Sequence, residues 1–328
     1  MSDRIESPRL QELDPDRTAE FWTEVTEQGT PVVEPASDGD VWLTFLYRAR
    51  EPVSDVSVFG GPAGWDPPVN VMQHLAGTDV WYLTFRVRSD LRCTYRLAVD
   101  EVLGNERRIW AYTPRGYVPD AEPLPFLVLF DGDTVLGPMP MPTILDNLIE
   151  AGRIPPMIAV LVDSLTQEVR NRELPCGAPF LEYLTDELLP WVRERYRITG
   201  DPARTIVAGQ SHGGQAAAFA ALRRPDVFGN VISQSGSFWW RPDGEDEHEW
   251  LTRQYAAAER RPVRFWLEAG LQERGQTPGR GPSILVANRH LRTILRSKGY
   301  DVQYSEFNGG HDRACWRGSI ADALIALT

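Results

Sequence analysis

The chain has 328 residues, of which 42% are hydrophobic and 24% are charged, as is usual for globular proteins. This length predicts two domains, or one large α/β domain with an attachment. The formal charge of −12 argues against a general binder of nucleic acids or anionic membranes, since either needs a basic face. No apolar run is long enough to span a membrane, and the acidic start MSDRIESPRLQELDPDRT lacks a signal-peptide core.

The cysteine and lysine counts are also informative. Cys93, Cys176 and Cys315 are the only cysteines and form no CxxC pair, so the sequence indicates neither a disulfide framework nor a zinc knuckle. Reduced thiols in a cytoplasmic protein are the expected state. Lys298 is the only lysine, so any anion site must be built from arginines, which bind planar oxyanions with two parallel hydrogen bonds.

The first part of the chain has the pattern of a β-domain. A helix is predicted over Asp14–Gln28, and residues 41–100 contain short segments rich in Val, Tyr, Phe and Thr that alternate in polarity. These predicted strands are VWLTFLYRA, VSVFG, DVWYLTFRV and CTYRLAVD. Strands at this spacing, separated by turn clusters, are typical of a small β-sandwich. We place this domain over residues 1–103.

Residues 104–328 instead alternate strands with helices. Short apolar strands separated by helices predict a mostly parallel sheet covered on both faces, that is, a doubly wound α/β fold. The predicted strands are RRIWAYTP, PFLVLFDG, PMIAVLVD, RTIVAG, NVISQSG, VRFWLEAG and VQYSEFNGG. The predicted helices are TILDNLIEAG, FLEYLTDELLPWVRERY, QAAAFAALRRP, SILVANRHLRTILRSKG and SIADALIAL.

A G-x-S-x-G motif joins one of these strands to the next helix. Its central residue is Ser211, flanked by Gly209 and Gly213, with RTIVAG before it and QAAAFAALRRP after it. This context is that of a nucleophile elbow, where a tight turn needs small neighbours and exposes the serine hydroxyl. The helix N-terminus offers free N–H groups to a developing oxyanion. Ser211 is therefore the candidate nucleophile.

A serine nucleophile needs a base, and the chain has five histidines: His74, His212, His248, His290 and His311. His311 follows the last predicted strand on the glycine-rich loop NGGHD, at the sheet edge where open α/β sheets bind ligands. The order Ser…acid…His of α/β-hydrolases also ends there. We predict His311 as the base. His212 adjoins the nucleophile, but its side chain is expected to point away from it.

The acid of such a triad should come from VRFWLEAGLQERG. Glu273 lies three residues beyond Gly270, in a loop that can reach His311, and is favoured over Glu268, which lies within the predicted strand. A Ser–His dyad without an acid stays open. The acid would fix the tautomer of His311 and stabilise its imidazolium.

The oxyanion hole needs two backbone donors. The N–H of His212 is one candidate, and the second is expected from Gly132 or Asp133, in the loop after PFLVLFDG. Asp131 and Asp133 could also be taken for a metal pair. No further carboxylate or histidine spacing supports a metal cage, so we predict no metal site and no cofactor.

Read together, these motifs resemble the enterochelin esterase family of ferric-siderophore esterases, from about Val41 to Leu327. The matching stretches include WYLTFRV, PLPFLVLFDGD, RNRELPC, DELLPWVRERY, VAGQSHGGQAA, SQSGSFWW, LEAGLQE and NGGHDRACWRGSIADALI. The resemblance implies an N-terminal Ig-like β-sandwich on an α/β-hydrolase. It also implies cleavage of the ester bonds of enterobactin, a cyclic trimer of 2,3-dihydroxybenzoyl-serine, or its iron complex, in the cytoplasm, with iron present only as part of the substrate. The connector RLAVDEVLGNERRIW is shorter than the proline-rich one usual in the family.

Position by position, the resemblance assigns Ser211 as nucleophile, His311 as general base and Glu273 as acid. It places two arginines and three tryptophans at the substrate pocket: Arg170, Arg172, Trp239, Trp240 and Trp316. An anionic, flat-faced catecholate–iron complex suits arginine forks and aromatic surfaces. The predicted partner is thus a small catecholate siderophore, with neither nucleic acid nor membrane as partner. The sequence leaves open which siderophore is preferred, its iron-loaded or iron-free form, and the oligomeric state.

Other functions remain open from the sequence. A feruloyl- or acetyl-type carbohydrate esterase can pair a β-sandwich with the same hydrolase, but would normally carry a signal peptide. An acyltransferase or thioesterase of catechol-peptide assembly would use the same triad with a different acceptor. A siderophore-binding module with a dead site is disfavoured, because Ser211 and His311 are both present.

Overall fold

The computed structural model divides into two compact units, Met1–Tyr95 and Arg96–Thr328. It describes residues 7–28, 31–37, 40–49, 56, 72–88, 97–100, 103, 105–118 and 121–328. The predicted boundary between residues 103 and 104 stays a prediction. The strand predicted at VSVFG lies outside the described residues except for Val56, and so does Cys93.

The described residues of the first unit form two helices and an antiparallel sheet whose strand order is β1-β2-β4-β3. The bounds of these elements are α1 Pro8–Gln11, α2 Thr18–Gln28, β1 Val32–Pro35, β2 Asp40–Arg48, β3 Gln73–His74 and β4 Val80–Arg88. Helix α2, with a short 3₁₀ turn before it, confirms the helix predicted over residues 14–28.

Alternation along β2 and β4 sorts their side chains onto the two faces of this sheet. Leu46 and Tyr82 share one apolar cluster with Phe21 and Trp22 of α2. Phe45 belongs to a second cluster on the opposite face, because successive residues of a strand point to opposite sides. Both faces of the four-stranded sheet are therefore apolar.

The second unit is built on an eight-stranded sheet with the order β12-β11-β10-β9-β7-β8-β6-β5. Strands β7 to β12 run parallel, and β6 and β5 join antiparallel at one edge. Their bounds are β5 Leu97–Asp100, β6 Asn105–Tyr112, β7 Phe126–Phe130, β8 Ile158–Val162, β9 Thr205–Gln210, β10 Asn230–Gln234, β11 Arg264–Gly270 and β12 Asp301–Phe307. This confirms the predicted mostly parallel α/β sheet, although β5, predicted as a strand of the first domain, pairs here.

Nine helices of the described chain follow these strands. They are α3 Gly132–Leu136, α4 Met141–Glu150, α5 Gln167–Glu173, α6 Ala178–Glu182, α7 Leu189–Arg195, α8 His212–Arg223, α9 Trp250–Ala257, α10 Ile284–Ser297 and α11 Arg313–Leu327. The single helix predicted over FLEYLTDELLPWVRERY is interrupted by a π-helical turn over Tyr183–Leu188. Pro190 follows this turn, and a proline lacks the N–H that a regular helix interior needs.

The core of the second unit lies between the sheet and its helices. Every residue of β7, β8, β9 and β10 is buried, as expected of central parallel strands covered on both faces. Helix α8 is rich in alanine and almost wholly buried, so its small side chains let it pack closely on β9 and β10.

Helix α10 ends at Ser297, and the ammonium of the following Lys298 donates to the carbonyl of Ala256 at 2.7 Å.

An ion pair ties α10 to the edge strand β12. Arg289 donates two hydrogen bonds, both of 2.7 Å, to the Glu306 carboxylate, and the Tyr304 hydroxyl donates a third at 2.8 Å. The Arg289 hydrogen bonds, opposed by partial burial and aided by Tyr304, lower the pKa of Glu306 from 4.5 to about 2. The ionised form of Glu306 is thus favoured by folding.

We expect the stability difference between the wild type and Glu306→Gln to depend on pH. Because the folded pKa is depressed, the contribution of Glu306 is present above pH 4.5 and is lost as the pH falls towards 2. Urea midpoints of the two proteins should therefore converge over that range. The urea midpoints of Arg289→Met and the wild type should converge over the same pH range. A difference between the midpoints of variant and wild type that stays constant at every pH would contradict this prediction.

Candidate active site

Ser211 occupies the turn between β9 and α8 with φ 58° and ψ −120°, a strained backbone conformation for a residue other than glycine. A Cβ at Gly209 would lie 2.4 Å from the carbonyl carbon of Gly213, so the turn requires glycine at position 209. The Ser211 N–H donates to the Gln234 carbonyl at 3.0 Å, which fixes the turn to β10. This geometry is that of the predicted nucleophile elbow.

The structure joins His311 to Glu273 rather than to Glu268. His311 Nδ1 and Glu273 Oε1 lie 2.5 Å apart, and the other carboxylate oxygen accepts from the Gly270 N–H at 2.6 Å. The Glu273 side chain is 1% exposed and that of His311 38%, so a buried acid holds a base that remains accessible. A base oriented by a carboxylate at Nδ1 leaves Nε2 free to face the nucleophile.

The backbone explains why Glu273 reaches His311. The loop after β11 pairs with the loop after β12, through Leu271 N–H to the Phe307 carbonyl at 2.8 Å and Gln272 N–H to the Gly309 carbonyl at 3.0 Å. A Cβ at Gly270 would lie 2.4 Å from the Gly309 oxygen, so this close approach needs glycine. The acid and the base are thus carried by adjoining loops.

Glu268 is fully buried and takes part in a different set of contacts. Its carboxylate accepts hydrogen bonds from Gln234 at 2.9 Å, Ser319 at 2.6 Å and Trp266 at 3.0 Å. Burial raises the pKa of Glu268, while these hydrogen bonds lower it in part. Within the described chain it makes no hydrogen bond to His311, so the alternative acid does not lie in the place that an acid needs.

Ser211 and His311 line the same two cavities, although no hydrogen bond joins them among the described residues. The Ser211 hydroxyl instead lies 3.2 Å from the Ser237 hydroxyl. Hydrogen bonds to a nucleophile are often long in a ligand-free site and shorten when substrate binds. Both residues face the same two cavities, as a nucleophile and its base must.

The candidate oxyanion donors stand at two helix starts, where the first N–H groups have no partner within the helix. His212 is the first residue of α8, and Gly132 and Asp133 open α3 after Asp131, whose φ is 57°. Gly132 packs beneath the Trp110 ring, since a Cβ there would lie 2.7 Å from it. Asp133 lines the cavity that Ser211 also lines.

Among the described residues, the imidazole of His212 makes its contacts with Gln215 and Trp239 and no hydrogen bond to Ser211. Its Nδ1 lies 3.2 Å from the Gln215 amide oxygen, and its ring packs against Trp239 with a centroid distance of 6.0 Å. Burial, and to a smaller extent the positive charge of Arg170, lower the pKa of His212. Of His212 and His311, it is His311 that contacts a carboxylate at Nδ1.

The first cavity, which we call the arginine-side cavity, has a volume of about 500 Å³. It is lined by Asp131, Asp133, Thr134, Ser164, Leu165, Thr166, Gln167, Arg170, Gln210, Ser211, His311, Asp312, Arg313 and Trp316. Arg170 is here, but its guanidinium donates to both oxygens of the buried Asp131 at 2.6 and 2.7 Å. Its charge is therefore already matched by a carboxylate.

Arg172 is not a wall of this cavity. Its side chain is 62% exposed and lies 3.6 Å from Glu173. Positions 170 and 172 of a helix point in nearly opposite directions, because each residue turns the helix by about 100°. The structure therefore places only one of the two predicted arginines at the pocket.

The second cavity, the tryptophan-side cavity, has a volume of about 410 Å³ and shares Ser211 and His311 with the first. Its further lining residues are His212, Ser237, Trp239, Gln272, Glu273, Gly275, Gln276, Thr277, Pro278 and Ile284. Trp239 is thus at the site. Trp240 lines neither cavity and packs edge-to-face on Trp250 at 6.4 Å.

Trp316 lines the arginine-side cavity and also touches the base. Its ring stands at 88° to the His311 ring with centroids 4.8 Å apart, and its indole N–H donates to the Ser235 hydroxyl at 2.9 Å. Ser237 and Arg313 are among the lining residues that the sequence did not predict. Their proximity to the end of β10 and to His311 was the available signal.

The described part of the chain contains no group of three or more His, Cys, Asp or Glu residues arranged to hold a metal ion. None of its helices combines the length and the apolar character that crossing a bilayer requires. His74, His248 and His290 line neither cavity; His290, for example, pairs with Glu249 at 2.9 Å.

Comparison with known families yields two matches. An esterase family model matches residues 101–327, and a model described as enterochelin esterase, N-terminal, matches residues 42–121. The first match covers strands β6 to β12 of the α/β sheet together with the site. The second covers most of the first unit and continues into β6.

Individual proteins are similar over most of the chain. An iron(III) enterobactin esterase of Dickeya dadantii is 28% identical over 93% of this chain and 91% of its own length. One of Escherichia coli K12 is 37% identical over 69% of this chain, but that match spans only 55% of the relative. The enterobactin esterase of Shigella flexneri, crystallised in the presence of enterobactin, superposes with a TM-score of 0.64 at 26% identity, covering 93% of this chain and 97% of that one.

Proposed function

Because the chain belongs to the enterochelin esterase-type family of carboxylic ester hydrolases, we propose that it hydrolyses the ester bonds of a catecholate siderophore such as enterobactin or its ferric complex. The observation that carries this proposal is the Ser211–His311–Glu273 arrangement in a chain that matches enterobactin esterases over most of its length. We further propose a cytoplasmic location, where such cleavage would release iron.

In the proposed mechanism, His311 Nε2 takes the proton of the Ser211 hydroxyl as its oxygen attacks the ester carbonyl. The N–H of His212 and that of Asp133 or Gly132 stabilise the oxyanion of the tetrahedral intermediate. As the C–O bond of the siderophore ester breaks, His311 gives the proton to the leaving serine oxygen, which departs as a hydroxyl, and a dihydroxybenzoyl-seryl ester of Ser211 remains. Water, deprotonated by His311, hydrolyses this ester and restores Ser211.

Glu273 contributes by its contact with His311. A carboxylate at Nδ1 holds the imidazole in the tautomer with Nε2 unprotonated and stabilises the imidazolium formed during attack. This chemistry needs no resident metal or cofactor, so iron enters only as part of the substrate. The contact of His311 Nδ1 with Glu273, where His212 Nδ1 meets only the amide of Gln215, supports His311 as the proton carrier.

The two cavities suit the two sides of a bulky ester. Trp239 offers an aromatic face on the tryptophan-side cavity, against which a catechol ring can stack. Arg170 and Arg313 line the other cavity, and Arg313 has no ion-pair partner among the described residues. We propose Arg313, whose charge is not already matched, as the group that meets an anionic catecholate there.

The experiment that tests this function is product analysis by chromatography. The protein is incubated with enterobactin, ferric enterobactin, bacillibactin and a methyl ferulate control, and dihydroxybenzoyl-serine products are quantified against time. We expect hydrolysis of at least one catecholate trilactone at a kcat/KM well above that for the ferulate. Cleavage of methyl ferulate alone would replace the siderophore function with that of a carbohydrate esterase.

A further inference from the structure

A buried polar network lies beneath the candidate active site, centred on Gln234 at the end of β10. The Gln234 backbone carbonyl accepts from the Ser211 N–H at 3.0 Å. Its side-chain amide donates to Glu268 at 2.9 Å, to the Trp316 carbonyl at 2.9 Å and to the Ser319 hydroxyl at 3.0 Å. One residue thus touches both the nucleophile turn and the helix that follows the base.

Glu268 is the acceptor on which the donors of this network converge. Both its oxygens act as acceptors, one for Gln234 and Ser319 and the other for the Trp266 indole N–H. A carboxylate has only acceptors and suits three converging donors, whereas a neutral amide would turn a donor towards one of them. Burying a carboxylate carries a large desolvation cost, and this carboxylate has no arginine or lysine partner in the described chain.

The other end of the network reaches the base. Trp316, whose carbonyl is held by Gln234, stacks edge-to-face on the His311 ring at 4.8 Å. Its indole is fixed in turn by the Ser235 hydroxyl. His311 is therefore held from two sides, with Glu273 at Nδ1 and Trp316 against the ring.

We propose that Glu268 is a positioning residue for the hydrolytic reaction, which holds the first two turns of α11 in register with β10 through Gln234 and Ser319. It thereby sets the separation between the Ser211 hydroxyl and His311. This inference rests on the proposed catalytic roles of Ser211 and His311. It gives Trp316 a second role besides lining the substrate cavity, namely support of the base.

The primary test is Glu268→Gln, which keeps the size of the side chain and replaces one of its two accepting oxygens with an amide N–H₂. We expect kcat for a small ester, p-nitrophenyl butyrate, to fall by about 10- to 100-fold, since displacement of a catalytic pair by about 1 Å has effects of this order. KM for the same ester should stay within about twofold. A small ester makes this outcome independent of whether the natural substrate is a siderophore.

Ser319 supplies a matched pair of variants that perturbs the same contact more mildly. Ser319→Ala removes the hydroxyl that donates to Glu268 at 2.6 Å, whereas Ser319→Thr keeps it. We expect the alanine variant to lose kcat and the threonine variant to retain most of it. Asn230→Ala, at the opposite end of β10, controls for a general loss of stability. Asn230 is as fully buried as Glu268, but its side chain bonds to the carbonyls of Ala203 and Thr205.

Two further readouts separate positioning from stability. Titration of Ser211 with a fluorophosphonate counts folded, reactive molecules, so kcat can be given per active site. Proton NMR follows the far-downfield resonance expected from the proton between His311 and Glu273, whose heavy atoms are 2.5 Å apart. In Glu268→Gln this resonance should broaden or move, because the His311 ring is no longer held.

The outcomes are distinct. An unchanged kcat per active site and an unchanged resonance in Glu268→Gln would overturn the positioning role, even if the variant is less stable. A rise in KM at constant kcat would also overturn it, since Glu268 would then act on substrate binding. If the wild type cleaves p-nitrophenyl butyrate but no siderophore, the proposed function fails and this inference is still tested.

Discussion

Replacing Ser211 with alanine is expected to lower kcat for ester cleavage by at least about a thousandfold, because loss of a serine nucleophile removes the covalent route altogether. Binding of the substrate should persist, since the walls of both cavities remain. Stopped-flow turnover and fluorescence titration, using the tryptophans of the site, measure the two quantities separately.

Ser237 provides the matched control for this experiment. Its hydroxyl lies only 3.2 Å from that of Ser211, but its backbone has no strained elbow. Ser237→Ala should therefore reduce kcat by much less than Ser211→Ala. Turnover above about one percent in Ser211→Ala, or an equal loss in Ser237→Ala, would contradict the assignment of the nucleophile.

Glu273→Gln is expected to lower kcat by about 10³- to 10⁴-fold. An amide at the 2.5 Å contact with His311 Nδ1 can favour the wrong imidazole tautomer and offers no negative charge to the imidazolium. Measurement of kcat with saturating p-nitrophenyl ester tests this directly. KM should change little, because Glu273 is held by the Gly270 N–H behind His311.

Glu268→Gln makes the same chemical change five positions earlier and serves as the comparison. We expect Glu268→Gln to lower kcat less than Glu273→Gln does, because Glu268 acts through Gln234 and Ser319 rather than on the imidazole. A larger loss in Glu268→Gln than in Glu273→Gln would make Glu268 the acid. Equal stabilities of the two variants, checked by urea unfolding, make the kcat values comparable.

The sequence predicted the parts of the site that depend on local chain geometry. Ser211 follows from glycines that a tight strand-to-helix turn requires, and His311 from its place after the last strand of a parallel sheet. The sequence determines the choice between Glu273 and Glu268 less firmly than it determines Ser211 and His311. This choice depends on the pairing of two loops through Gln272 and Gly309, which are distant along the chain.

Other expectations needed contacts that a sequence does not display. The family resemblance predicts Arg172 at the pocket beside Arg170. In the structure it lies on α5, where residues two apart face different directions. Trp240 turns onto Trp250 rather than into either cavity. Strand β5 pairs with β6, a choice of partner that its own residues do not determine.

Lys298, the chain's only lysine, lies at the end of α10. This helix connects two parallel strands, β11 and β12. It therefore runs back from the carboxyl ends of the strands, where Ser211 and His311 lie, to their amino ends. Amine-reactive coupling therefore has one side-chain target, besides the α-amino group, and that target is remote from both cavities. Molecules attached to a surface through Lys298 would all turn the carboxyl ends of the strands, with Ser211 and His311, towards the solution.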